Sequence, residues 1–242
     1  MIELKNVSFY YNAKNKALNN INLNIKEGES VALIGPNGSG KSTLLKLLNG
    51  IVFPKEGTYL FDKEEITEKK LDKGTFAKLF HKRIGFVFQN SDAQLFSSNV
   101  YDEIAFGPRQ MGLTENEVEK RVNDCLELLD IEHLKDREPY NLSGGEKKRV
   151  AIASVLSMNP EVIVLDEPMN EIDPKGKRFL NEFFVKLNQS GKTIICSTHE
   201  FHYVQGLFQR AIVFSENHEI IRDDDFNTII NDKEFLIEHN II

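Results

Sequence analysis

Apolar and polar residues alternate near the N-terminus, at residues 3–9, at 20–25 (where Ile21, Leu23 and Ile25 share one side) and at 58–61. That period of two predicts antiparallel strands. Further along the pattern changes. Residues 31–34, 84–88, 162–165, 193–196 and 211–214 are short continuous apolar runs, which read as strands buried on both faces, as in a parallel sheet covered by helices. Helical stretches at 42–49, 174–189 and 200–208 follow several of them, and this alternation predicts an α/β domain. Between residues 92 and 158 only helices are predicted, at 101–106, 115–130 and 144–158, so a helical insert interrupts the α/β core. Residues 62–83 are lysine-rich and charged and read as a solvated loop and helix. The tail after Arg222 opens with Asp223-Asp224-Asp225 and carries no chemical motif.

Composition changes this picture mainly by exclusion. The chain has 242 residues, 40% hydrophobic and 28% charged, the balance of a water-soluble globular protein. A formal net charge of −7 argues against nucleic-acid binding and against electrostatic docking on anionic lipid. No apolar stretch approaches the roughly 18 residues needed to span a bilayer, and Met1-Ile2-Glu3-Leu4-Lys5 is too polar for a signal peptide. Any membrane role is expected to run through a protein partner, from the cytosol. Cys125 and Cys196 lie in apolar patterns and are expected to be reduced core residues. The six histidines are scattered, and only His199 stands in a chemical context.

The candidate chemistry begins at Gly35-Pro36-Asn37-Gly38-Ser39-Gly40-Lys41-Ser42-Thr43, a phosphate-loop pattern between a strand-like run and a helix. Several polyphosphate charges can be held only where backbone N–H groups converge without side chains in the way, and Gly35, Gly38 and Gly40 clear that space. Lys41 is expected to reach the β- and γ-phosphates and Ser42 to ligate Mg²⁺. Asp166 and Glu167 end the buried run 162–165. A hard cation suits Asp166, and Glu167 is suited to orient or deprotonate an attacking water. Leu142-Ser143-Gly144-Gly145-Glu146 opens a helix with small residues, a second candidate anion site.

With that segment the chain resembles the nucleotide-binding subunit of an ABC transporter. The order of phosphate loop, Gln89, signature, Asp166-Glu167 and Thr198-His199 matches the family along nearly the whole length. The resemblance implies a phosphate-loop cassette of one domain. Its α/β core with an N-terminal antiparallel β subdomain spans 1–91 and 159–222, its helical subdomain 92–158, and its tail 223–242. It also implies ATP and Mg²⁺, with Tyr11 stacking on adenine, Gln89 contacting Mg²⁺ or the attacking water, and His199 contacting the γ-phosphate. Such cassettes pair head to tail, so Ser143, Gly144 and Gly145 of one chain are expected to close on ATP held by another.

Three positions depart from the family pattern: Met169, Glu171-Ile172 and Glu200. A homodimer or a heterodimer with a second cassette is expected, and Glu171, in a loop expected at the dimer interface where like charges across a two-fold axis repel, favours the mixed pair. The segment from Phe88-Gln89-Asn90 to Phe106-Gly107-Pro108 is similar to the energy-coupling-factor importers of cobalt, nickel and vitamins. The expectation is therefore a peripheral ATPase on the cytoplasmic face of the membrane, bound to membrane subunits. An iron–sulfur assembly ATPase, or the cassette of another importer or exporter class, is the alternative.

Overall fold

A period of two in one buried strand sets the architecture. All five residues of β3 (Ser30–Ile34) are buried, yet Val31 and Leu33 join one apolar cluster while Ala32 and Ile34 join another. The same division recurs in β7 (Val162–Asp166), β8 (Thr193–Ser197) and β9 (Arg210–Phe214), so the sheet carries a core on each face. The computed structural model describes residues 1–12, 15–72 and 74–242.

These strands belong to a six-stranded sheet of order β10-β9-β3-β8-β7-β6, with β6 at Ile84–Val87 and β10 at Ile220–Asp225. Pairing is parallel throughout except for β10, which runs antiparallel to β9. A second, antiparallel sheet is built from β1 (Ile2–Asn12), β2 (Asn15–Ile25), β4 (Glu56–Phe61) and the two-residue β5 (Glu64–Glu65), in the order β2-β1-β4-β5. Helix α1 (Lys41–Leu48) puts Leu44, Leu45, Leu47 and Leu48 into the cluster shared with that sheet. α2 (Glu68–Leu71) and α3 (Gly74–Arg83) fill the expected solvated segment, of which Lys73 lies outside the described residues.

The core on the opposite face of the large sheet takes in α4 (Val100–Gln110), α5 (Glu115–Leu128), α6 (Gly144–Leu156) and α7 (Pro174–Gln189), with α6 against β6, α7 against β8, and α4 and α5 packed on α6. α4 runs past the expected end at Phe106. Pro108 lies in its last turn, and Gly107 packs so close to Met158 that a Cβ would stand 2.5 Å from its sulfur.

Two expectations are corrected. The stretch 200–208 is not a helix but a single 3-10 turn at Phe201–Tyr203, because Gly206 adopts φ 74 and breaks the repeat before the chain enters β9. β6 is covered on both faces only in part: Ile84 joins one core and Val87 the other, while Gly85 and Phe86 are half-buried, as befits an edge strand. The tail is structural. After β10, α8 (Phe226–Asn231) and α9 (Lys233–Glu238) bury Phe226, Ile229 and Leu236 in the main core.

Candidate nucleotide-binding site

β3 ends at Ile34 and α1 begins at Lys41, so residues 35–40 must turn sharply at the carboxyl end of a parallel strand, where open α/β sheets bind ligands. Glycine makes the turn possible. Gly40 is left-handed at φ 109, and a Cβ there would lie 2.2 Å from the Ala17 carbonyl oxygen; one on Gly35 would meet the Phe214 carbonyl oxygen at 2.6 Å. No side chain caps the N-terminus of α1, which leaves its first N–H groups and the positive end of its dipole to an anion. Lys41 is buried, and its Nζ donates to the carbonyl oxygens of Gly35 (2.7 Å) and Pro36 (2.9 Å). Burial lowers its pKa, and Glu167 and Asp166 act in the opposite sense.

A cavity of about 390 Å³ follows the loop and brings together Tyr11, loop residues 37–43, Gln89 and Glu167. Tyr11 is 58% exposed at its mouth, with Oη 3.4 Å from Thr43 Oγ1 and its ring edge-on to Phe9. Three residues that sequence reasoning passed over also line this cavity: Lys16, Ala17 and His218.

The carboxylates stand where β7 ends. Parallel register sets Ser197 of β8 beside Asp166, and Ser197 Oγ donates to Asp166 Oδ1 at 2.6 Å. Ser42 Oγ donates to the same oxygen at 3.1 Å, tying loop to strand. Glu167 adopts φ 46, uncommon for a side-chain-bearing residue, and its N–H donates to Ser197 Oγ at 3.0 Å. Its Oε1 lies 3.2 Å from His199 Nε2, an ion-pair distance without the alignment of a hydrogen bond. Its Oε2 accepts from Gln89 Nε2 at 3.3 Å and from Asn170 Nδ2. The His199 imidazole is the main reason that the Glu167 carboxyl is held below the usual range; partial burial opposes it.

Lys148 and Asn170 join the site without having been expected there. Lys148 is 3% exposed, and its Nζ donates to the carbonyl oxygens of Phe88 (3.1 Å) and Gln89 (2.7 Å). A signal existed: position 148 shares one helix face with Ala151, Ile152 and Val155, so a lysine there had to find buried acceptors.

Ser143, Gly144 and Gly145 do not reach the loop. Ser143 caps α6 in a reciprocal box with Glu146, its Oγ donating to Glu146 Oε2 at 2.7 Å. Ser143, Gly145 and Glu146 line a separate cavity of about 250 Å³ with Ile172 and Asp173. A larger cavity, about 420 Å³ between α5 and the end of α6, holds none of the expected site residues. Of the three departures, Met169 is buried in the core, Glu200 pairs with Lys177 at 2.5 Å, and Glu171 is exposed with φ 62.

Known proteins resemble this chain in sequence and in fold. The family model described as ABC transporter matches residues 18–170. A Clostridium acetobutylicum protein named for the same family is 68% identical over all of this chain and all of its own. The nickel import ATP-binding protein LarO of Lactiplantibacillus plantarum is 45% identical over 92% of each chain. Among solved structures, cbiO1 from Clostridium perfringens, part of the ABC transporter complex cbiONQ, superposes with a TM-score of 0.84 at 38% identity, covering 99% of this chain and 94% of its own. The ATP-binding cassette MJ0796, seen as a dimer bound to ADP and Pi, gives 0.84 at 33% identity over 93% and 98%. With loop, paired carboxylates and signature on one such framework, this chain belongs to the ABC transporter family and is an ATP-hydrolysing subunit of a transporter.

Proposed function

We propose that this chain, at the cytoplasmic face of the membrane, powers an importer of the energy-coupling-factor type for a transition-metal ion such as nickel or cobalt, or for a vitamin. The observation that carries the reading is that the loop and the signature line separate cavities of one chain. A site that needs both needs a second cassette, and the dimeric form of a related cassette supports this. The subclass rests on likeness to a nickel importer's ATPase and to a subunit of the cbiONQ complex.

In this reading the loop residues, Gly35 and Asn37 to Thr43, hold the triphosphate, Lys41 neutralises its β- and γ-oxygens, and Tyr11 supports the base. Glu167, ionised and fixed by Asn170, Gln89 and His199, accepts the proton of the attacking water. Gln89 contacts Mg²⁺ or the attacking water, His199 contacts the γ-phosphate, and Ser143, Gly144 and Gly145 of the second cassette close on the nucleotide. Asp166, Ser42 and Gln89 would hold Mg²⁺. Asp166 is buried and accepts from Ser42, and no cluster of three or more His, Cys, Asp or Glu ligands occurs among the described residues. One carboxylate and a hydroxyl fit an ion that keeps waters and phosphate oxygens. When bound, such an ion neutralises charge shared by the β- and γ-phosphates.

No described helix is long and apolar enough to cross a membrane, so attachment runs through membrane subunits. An apolar cavity of about 290 Å³ beside the Gln89 loop, lined by Ile51, Phe86, Phe88, Val155 and Met158, suits a helix from such a subunit. Buried Glu103 accepts the N–H groups of Phe96 and Ser97, and the Phe96 ring stays 67% exposed against Phe106, a second apolar feature on the helical segment 92–158. The exposed Glu171 favours a non-identical second cassette.

Affinity purification of the tagged chain in mild detergent tests the reading. Co-purification of small polytopic membrane proteins with a second cassette is expected; recovery only with soluble assembly factors overturns the importer while leaving the ATPase intact. A fully active homodimer of the purified chain removes the mixed pair.

A further inference from the structure

We propose that His218 is a nucleotide-binding residue, a role that rests on the nucleotide reading of the loop cavity. His218 sits in the turn joining β9 to β10, closed by its N–H donating to the Ser215 carbonyl oxygen and by the Ser215 N–H donating to that of Glu219, both at 3.0 Å. The turn is tied to the site rather than free. The His218 carbonyl oxygen accepts the Asn19 N–H at 2.9 Å, Asn19 Nδ2 donates to Glu219, and Lys16 Nζ donates to Asn19 Oδ1 at 2.8 Å. Lys16 and Ala17, a few residues along β2, line the loop cavity, and the Ala17 carbonyl is the group against which Gly40 packs. His218 lines that same cavity.

Two features of His218 bear on this role. Its φ of 64 is a left-handed value that glycine would take without steric cost. Its Nδ1 is buried and has no hydrogen-bond partner among the described residues, an arrangement that costs free energy unless a partner is supplied. A neutral imidazole offers one donor and one acceptor, and a nucleotide presents matching groups in its phosphate oxygens, its ribose hydroxyls and its base. ATP held by the loop would extend into the cavity that this imidazole borders, where a turn of the ring would present Nδ1.

The test separates a ligand contact from a turn residue by sign. In His218→Gly the left-handed position is relieved, so the nucleotide-free protein should melt at the same or a higher temperature. Calorimetric titration in EDTA should nevertheless show ATP affinity falling about three- to tenfold, the range of one hydrogen bond. His218→Asn, which tolerates the conformation and keeps donor and acceptor, should recover much of the loss. Inorganic tripolyphosphate titrated in parallel locates the contact: weakening of both ligands assigns it to the phosphates, and weakening of ATP alone to the nucleoside. Wild-type affinity for both ligands in His218→Gly, at unchanged or raised melting temperature, overturns the proposal. A Lys41→Ala control that binds ATP normally would overturn the loop reading instead.

Discussion

Lys148 reaches beneath the loop that carries Gln89, and its Nζ donates to the Gln89 carbonyl at 2.7 Å. The signature helix α6 is thereby tied to the segment that contacts Glu167, within one chain. Burial lowers the Lys148 pKa, with Glu171, Asp166 and Glu167 acting in the opposite sense.

Lys148→Met keeps the side-chain length but cannot donate, leaving the Phe88 and Gln89 carbonyls unpaired. Stability should fall by about 1–3 kcal/mol, less whatever is gained by removing a desolvated charge. ATP turnover should drop about tenfold as Gln89 loses its fixed place, with ATP affinity nearly unchanged. Equal losses of rate and affinity would show that the tie serves binding rather than turnover.

Glu167→Gln preserves shape and can still accept from Asn170 and Gln89, but it cannot take a proton. Nucleotide binding should survive while hydrolysis falls by about two orders of magnitude or more. Near-normal hydrolysis would refute the assigned base. Lys41→Ala should lose affinity instead.

The Glu167 carboxyl is held below its ordinary value chiefly by His199. A carboxylate whose folded pKa is depressed contributes stability that is present above its unfolded pKa and lost as pH falls through the folded one. The same depression keeps the base ionised to lower pH, so wild-type hydrolysis should persist to lower pH than an unperturbed glutamate would allow. His199→Ala should move the acid limb of the rate profile upward, apart from any loss of maximal rate. An unmoved limb would mean that His199 does not set the Glu167 charge.

Cys125 and Cys196 are buried, and burial pushes the Cys125 thiol up to about 12 and the Cys196 thiol well above its ordinary value. Neither should react with a chromogenic disulfide reagent at pH 8 in the native protein, and both should react in denaturant. Rapid modification of Cys125 in the folded chain would contradict the packing of α5.

The parallel strands were legible because their apolar runs are short, continuous and punctuated, and the loop because glycine spacing and a following helix leave few alternatives. The stretch 200–208 was misread because its apolar spacing resembles a helix turn, while the left-handed Gly206 that interrupts it acts through the backbone. β10 was missed because Ile220–Asp225 is polar at an edge, held by pairing to β9 and by the Arg210 to Asp223 ion pair rather than by a buried face.

Sequence by itself determined the residue types that chemistry demands in consecutive order: glycines that clear a phosphate loop, Lys41 and Ser42 opening a helix, a carboxylate pair ending a strand, and a capped signature helix. These follow from local backbone geometry, which neighbours along the chain dictate. Tertiary structure alone decided which distant groups meet. Ser197 reaches Asp166 through parallel register, Lys148 lies beneath Gln89 because α6 packs there, and His218 borders the loop because Asn19 anchors its turn. Such contacts join residues far apart in sequence, and no local propensity records them, since they are fixed only when the sheet closes and buried polar groups must find partners.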